Sequence, residues 1–480
     1  MFKVELCVAL VLVAISATAQ SGALQLTPCK RDGISPPARC GTFTVWENRD
    51  TKAGRTLDLN VILLEATGPD RRADPIVYLA GGPGEAAASM ASTYDRDEMR
   101  QQRDILLVDQ RGTGNSNGLY CRLEATAPLQ AFVPMMDPSR ISACRQHLER
   151  QADLRYYLTT HAMDDLDELR RALRDERINL HGDSYGTRAA MVYLRRHGEH
   201  VRSVTLTAAD SLGYASPSRF APDAEASLRS VLQQCAAEPA CKAAFPKLGE
   251  DYQTTVRRIQ EGPVNVRLEN PRSGDQVEVS LRAADFAEAL RAMLYNPEAT
   301  RHIPIHLHRA ATANDYRPFA ELQIKRNQAI ADAIALGMYF ATTCTEDIAG
   351  VDAEAVYAAG RGTFLADHRA RPHIQNCKGW PLGQLPKDFR TDVTSDAPVL
   401  IITGENDPAT PPASARSAAS RLSNAKVIIV PQGGHSLAGL IGEDCVKGLA
   451  TRFLETANVQ SLDVTCVAKV RRRPFVLSLP

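Results

Sequence analysis

Neither sign of charge dominates this chain. Lys+Arg and Asp+Glu both total 56 in 480 residues. A surface built for nucleic acid needs a basic excess, so that class is excluded. The one basic run, Arg471-Arg472-Arg473, reads as a solvated tail. After the first twenty residues no apolar stretch reaches the roughly twenty residues of a membrane helix. There is no internal repeat and no low-complexity tract, which removes solenoids and repeat arrays. No cysteine pair has histidines at metal-ligand spacing, so no zinc site is expected. What remains is ordinary globular composition, 44% hydrophobic and 23% charged. The length suits one large domain with an insertion, or two domains.

The first twenty residues read as an export signal. Lys3 supplies the positive start, Leu6 to Ile15 the short apolar core, and Ala17-Thr18-Ala19 the cleavage pattern. Residues 1–19 are therefore expected to be a signal peptide and 20–40 a polar leader. Cys7 lies inside the apolar core, too early for a lipid-anchored start. The other ten cysteines fall into sequence neighbours: Cys29 and Cys40, Cys121 and Cys144, Cys235 and Cys241, Cys344 and Cys377, Cys445 and Cys466. In an oxidising compartment these predict five local disulfides, although spacing alone does not fix connectivity. The expected address is the periplasm or the exterior.

Thr42 to Trp46 and Leu57 to Leu64 alternate apolar and polar residues, as strands at a sheet edge do. Continuous apolar runs follow at Ile76–Leu79 and Ile105–Val108, and the pattern returns at Val399–Thr403 and Val427–Val430; the short stretch from Ile178 and Val201–Leu206 read as further strands. Such runs fit strands buried on both faces. Helical patterns separate them, as in residues 163–174. From 212 to 396 the pattern is mainly helical. Amphipathic stretches lie near 223–236, 283–295 and 318–342, and one hairpin is expected around Asn270-Pro271-Arg272-Ser273-Gly274. The fold class is therefore α/β: a mostly parallel sheet with helices on both faces and an inserted helical lid. The expected division is a core at 41–211, a lid at 212–396, and the rest of the core with a C-terminal tail at 397–480.

Ligands of such sheets bind beyond the carboxyl ends of the strands. Each chemically suggestive residue sits at such an end: Gly82, Asp109, Ser184, Asp407 and His435. Ser184 lies in Gly182-Asp183-Ser184-Tyr185-Gly186, the G-x-S-x-G elbow that lifts a serine above the sheet at a helix N-terminus. A serine hydroxyl needs a base at neutral pH. His435 follows a strand and two glycines, and the order Ser, Asp, His suits Asp407 as the group that orients it. Asp210 is the alternative acid. The Tyr185 and Gly82 N–H groups are the expected oxyanion donors; Pro83 has none to offer. His181 and the His306/His308 pair read as structural.

Gly-Gly-Pro-Gly at 81–84, Asp-Gln-Arg-Gly-Thr-Gly-Asn-Ser at 109–116, Gly-Asp-Ser-Tyr-Gly-Thr at 182–187, Asp407 and Gly-Gly-His at 433–435 together resemble the prolyl-aminopeptidase and tripeptidyl-aminopeptidase family of α/β-hydrolase serine exopeptidases. Asp407-Pro-Ala-Thr-Pro-Pro and Cys344-Thr-Glu-Asp resemble its exported, tripeptidyl-aminopeptidase-like branch. The likeness runs from about residue 40 to 456. Ala80 stands where prolyl aminopeptidases commonly carry His, which weakens strict proline specificity. The resemblance implies an exported serine aminopeptidase that acts on peptides with a free N-terminus and calls for no metal or cofactor. It also implies acidic residues in the lid that receive the substrate amine, and Glu346 and Asp347 are the candidates. An exported esterase, lactonase or amide hydrolase would share the same core, and so would a non-catalytic binding protein. Oligomeric state and the number of residues released stay open.

Overall fold

The computed structural model describes residues 22–121, 136–214, 216–269 and 274–479. The expected signal at 1–19 and the turn residues Asn270-Pro271-Arg272-Ser273 lie outside the described residues. One nine-stranded sheet organises the chain. Its strands are β1 (Leu24–Pro28), β2 (Ala38–Trp46), β3 (Thr56–Leu64), β4 (Ile76–Leu79), β5 (Ile105–Val108), β6 (Ile178–Asp183), β7 (Val201–Thr207), β10 (Val399–Gly404) and β11 (Ala425–Val430). The remaining two, β8 (Val264–Glu269) and β9 (Gln276–Leu281), form a separate small hairpin. The spatial order in the large sheet is β1-β2-β3-β5-β4-β6-β7-β10-β11. The pairings from β1 to β5 are antiparallel, and all pairings from β5 to β11 are parallel. This is the α/β-hydrolase fold. Strand β1 comes from the expected polar leader, whose pattern is too polar to read as a strand.

The continuous apolar runs follow from helices covering both faces. In β3, Val61 and Leu63 enter one core cluster while Ile62 and Leu64 enter another. β4 and β5 divide in the same way: Val77, Leu79, Leu106 and Val108 face one side, and Ile76, Tyr78, Ile105 and Leu107 the other. Side chains alternate across a strand, so a strand buried twice has no polar face to show. A third group of buried residues packs β10 and β11 against the helix Glu443–Thr456.

The helical block at 212–396 is divided between two cores. From Ala221 to Ala320 the helices and the β8–β9 hairpin bury their apolar faces together, around Phe286, Leu290 and Phe319. Most of the chain from Leu336 to Val393 instead packs into the main core, through Phe340, Ile348, Ile374 and Trp380, while Phe364 and Leu365 join the first. The helical stretch expected near 318–342 is broken. One helix ends at Ala333 and the next begins at Leu336. Between them the Ala335 N–H donates to the Gly84 carbonyl at 3.0 Å, so the break docks the insertion on the Gly-Gly-Pro-Gly loop.

Five disulfides join Cys29 to Cys40, Cys121 to Cys144, Cys235 to Cys241, Cys344 to Cys377 and Cys445 to Cys466. Among the described residues no helix is long and apolar enough to cross a membrane.

The loop after β5 is a brace. Arg111 is fully buried and grips Asp165 with two hydrogen bonds, of 2.6 and 2.8 Å. It also donates to the carbonyls of Trp46, Glu47 and Tyr156. Asp109 accepts from Asn60 Nδ2 and from the Ala88 N–H, both at 2.8 Å. Without Arg111, Asp165 would keep only its pair with Arg49, and the carbonyls of Trp46, Glu47 and Tyr156 would lose their donor. Arg111→Ala is therefore expected to lower unfolding stability by about 3 to 5 kcal/mol in a denaturant titration; a loss below about 1 kcal/mol would contradict the brace.

Candidate active site

The turn from β6 into the helix Tyr185–His197 is crowded from both sides. A Cβ on Gly186 would stand 1.9 Å from the Leu79 carbonyl oxygen, and one on Gly182 2.4 Å from the Gly186 carbonyl oxygen. Only glycine fits either place. Ser184 between them takes φ 54° and ψ −121°, a conformation that non-glycine residues rarely adopt. The turn places Ser184 in the wall of a cavity of about 630 Å³, within the usual range for small-ligand sites. His435 lines the same cavity, as do Gly81 and Gly82.

His435 and Asp407 come from the loops after β11 and β10. The His435 Nδ1 lies 2.9 and 3.0 Å from the two Asp407 carboxylate oxygens. Asp407 is buried, and it also accepts from the Ala409 and Thr410 N–H groups and from the Thr410 hydroxyl. Burial alone would raise its pKa, but His435 and the Thr410 donors outweigh burial and hold it below the ordinary value. For His435 burial opposes the charged form, yet the Asp407 carboxylate prevails and lifts its pKa above the ordinary imidazole value. The contact orients the ring: a neutral His435 donates from Nδ1 to Asp407 and leaves Nε2 as the basic nitrogen. The alternative acid, Asp210, pairs with Arg188 at 2.9 Å.

Tyr185 is the first residue of its helix, so its N–H is one of the donors that helix geometry leaves unpaired. Gly82 has φ 108°, in the range that favours glycine. The His181 Nδ1 meets the Tyr94 hydroxyl at 3.1 Å, and His308 pairs with Asp251 at 2.8 Å; neither lines the cavity.

Glu346 and Asp347 are a correction. Neither lines the cavity. They lie in a π-helical turn, Cys344–Ile348, behind the elbow helix. Glu346 is 2% exposed and accepts from the Thr159 N–H and hydroxyl, both at 2.8 Å. Asp347 pairs with Arg188 at 2.7 Å, and Glu346 approaches the same guanidinium at 3.6 Å. Burial lifts Glu346 to a pKa of about 7 against the pull of Arg188 and Thr159. An acid this occupied cannot receive a substrate amine. The carboxylates that do line the cavity are Glu85 and Asp183. Glu85 follows the Gly-Gly-Pro-Gly loop directly, and that adjacency is visible in the sequence. Its Oε2 and the Ser184 Cβ lie 3.1 and 3.4 Å from where a Cβ on Gly81 would stand. Arg291, Arg326, Arg369 and Tyr295 also line the cavity. They are scattered through the helical insertion, with no local pattern to mark them.

The corrected placement has a direct test. Asp347→Asn should cost about 1 to 3 kcal/mol of stability through Arg188. It should leave the ratio of rates on free-amine and N-blocked substrates unchanged. A selective loss on free-amine substrates would return Asp347 to the amine site.

Residues 363–466 match the family described as TAP-like protein. That segment contains Asp407 and His435. The chain is 25% identical over 521 residues to the tripeptidyl aminopeptidase of Streptomyces lividans, covering 96% of this chain and 90% of that relative. It is 23% identical over 471 residues to the serine protease Hip1 of Mycobacterium bovis, covering 90% of this chain and 88% of that relative. Among solved structures, the proline iminopeptidase of Mycobacterium smegmatis aligns with a TM-score of 0.41 at 16% identity, covering 88% of this chain and 100% of that one. In its sequence likenesses the chain is similar to TAP-like serine peptidases, and its sheet and elbow are those of the α/β-hydrolase fold.

Proposed function

We propose that the protein is an exported serine aminopeptidase, which removes short pieces from the free N-termini of peptides through an acyl-enzyme on Ser184. The observation that carries this reading is that His435, held by the buried Asp407, lines the same cavity as the strained Ser184. Ser184 Oγ attacks the scissile carbonyl while His435 Nε2 takes its proton. Asp407 holds the imidazole and stabilises its charged form. The Tyr185 and Gly82 N–H groups receive the oxyanion. His435 then returns the proton to the leaving amine. Water repeats the sequence on the ester and frees Ser184.

The aminopeptidase part rests on the relatives and on the cavity acids. Glu85 and Asp183 are the carboxylates available to a substrate amine beside Ser184. Burial and the neighbouring Asp183 raise the Glu85 pKa, although His435 opposes them. A cation bound there would relieve that repulsion. Export rests on the sequence signal and on the five disulfides.

A panel of free-amine and N-blocked mono-, di- and tripeptide chromogenic substrates tests the reading. Free-amine peptides should be cleaved, and Ser184→Ala or His435→Ala should each reduce turnover by at least about 10³-fold. Glu85→Gln should raise KM for free-amine peptides more than for N-blocked esters. Cleavage of blocked esters alone would favour the esterase alternative.

The pH profile is a separate check. A neutral ester is the right substrate, because a peptide amine titrates in the same range. The base acts only when neutral, and Asp407 raises its pKa. The kcat/KM should therefore climb with a midpoint above the ordinary imidazole value of 6.5. Asp407→Asn should move that midpoint down and reduce the plateau by on the order of 10⁴. An unmoved midpoint would remove Asp407 from this role.

A further inference from the structure

The wall that the insertion contributes to the cavity is basic. Arg291, Arg326 and Arg369 all line it. Arg291 comes from the helix Ala283–Met293, Arg326 from the helix Arg317–Ala333, and Arg369 from the N-cap of the helix Ala370–Cys377. Among the described residues their ion-pair partner is Glu288, at 2.7 Å from Arg326 and 3.5 Å from Arg369. Among the described residues this wall therefore carries three guanidiniums and one carboxylate, a net positive charge.

These cations are not solvated surface groups. Arg291 is 3% exposed. The Nε atoms of Arg291 and Arg369 are buried and have no hydrogen-bond partner among the described residues. Burying an arginine with donors unmet is costly; Arg103 and Arg188 also bury an unmet donor, but each has a carboxylate within 2.9 Å, whereas Arg291 has no ion-pair partner among the described residues. The aromatic contacts fix the cluster in place: Arg291 lies 5.0 Å from the centre of the Tyr295 ring and Arg369 5.1 Å from that of Phe220. Tyr295 in turn packs against His435, with ring centres 4.7 Å apart. The cluster is thus one ring away from the proposed base.

We infer that Arg291, Arg326 and Arg369 form a subsite for a carboxylate carried by the substrate. A planar guanidinium fork matches a carboxylate in geometry as well as charge. Glu288 holds the forks together but cannot neutralise three of them. This deepens the peptidase reading and rests on it for the identity of the substrate. The carboxylate comes either from an acidic side chain near the scissile bond or from the C-terminus of a short peptide.

Two substrate pairs separate those sources. The first compares Glu with Gln beside the scissile bond in C-terminally amidated peptides. The second compares a free with an amidated C-terminus in the Gln peptide. One pair should show a preference of about tenfold or more in kcat/KM for the carboxylate form. Arg291→Gln and Arg369→Gln should each bring that ratio towards one. Ratios within about twofold of one in both wild-type pairs would overturn the subsite, as would a ratio that survives both substitutions. A measurement on the wild-type protein guards against variants that fail to fold. Glutarate should competitively inhibit hydrolysis of a neutral p-nitrophenyl ester at matched ionic strength, and its diamide should not. Equal inhibition by the two would overturn the subsite. Inhibition by glutarate without any peptide cleavage would keep the subsite and remove the peptidase reading; peptide cleavage with no carboxylate preference would do the reverse.

Discussion

The helix Tyr185–His197 runs so close to the end of β4 that a Cβ on Gly186 would stand 1.9 Å from the Leu79 carbonyl oxygen. The rest of the site depends on that approach. It brings the free N–H groups at the helix start beside the Gly81–Gly84 loop, which continues from β4. It also leaves the chain no relaxed route from β6 into the helix, so Ser184 takes φ 54°. Such a residue costs on the order of 1 to 3 kcal/mol. Burial of the helix offsets this, since Met191, Val192 and Leu194 are all at most 3% exposed. A buried aliphatic side chain contributes about 1.5 to 3 kcal/mol, so a few of them outweigh one strained residue.

The helical insertion reaches the same site at two points. At one, Ala335 donates to the Gly84 carbonyl, at the break between two helices. At the other, the Ser436 N–H donates to the Tyr295 carbonyl at 2.7 Å, directly after His435. A Cβ on Gly434 would lie 2.6 Å from the Leu294 and Tyr295 carbonyl oxygens. The insertion therefore holds both the Gly81–Gly84 loop and the loop that carries His435. A shift of the insertion would be felt at Gly82 and His435 together, so substrate selection and the reacting groups are mechanically joined.

Much of the core was legible because its causes are local. Strands buried on two faces leave unbroken apolar runs, as at Ile76–Leu79 and Ile105–Val108. Elbow glycines leave a pattern because the crowding that requires them acts within a few residues. β1 was not legible: Leu24–Pro28 is half exposed at an edge, and a partner strand rather than its own composition makes it a strand. The break at Ile334–Ala335 was equally hidden. The sequence there is helix-forming, and a hydrogen bond to the distant Gly84 loop decides the matter. The division of 212–396 between two cores depends on which surface each helix meets, and amphipathicity marks only that a helix has an apolar face.

The acids and arginines carry the same lesson in electrostatic form. A sequence shows where charges are and says little about which of them a ligand meets. Glu346 and Asp347 looked available, but with Asp210 they share Arg188 behind the elbow helix. Arg291, Arg326 and Arg369 carry no local sequence pattern, yet all three face the cavity, where Glu288 pairs with Arg326 and Arg369. Pairing over long sequence distances inverts the expected polarity of the insertion: these acids are held inside the protein and these cations are left for the ligand. The acids that do face the cavity, Glu85 and Asp183, come from the sheet side. The cavity is thus acidic beside Ser184 and basic along the wall that the insertion contributes. A molecule that carries an amine and a carboxylate matches both walls, whereas a neutral ester matches neither. This polarity favours a short peptide over the esterase substrate that the same three reacting residues could otherwise serve.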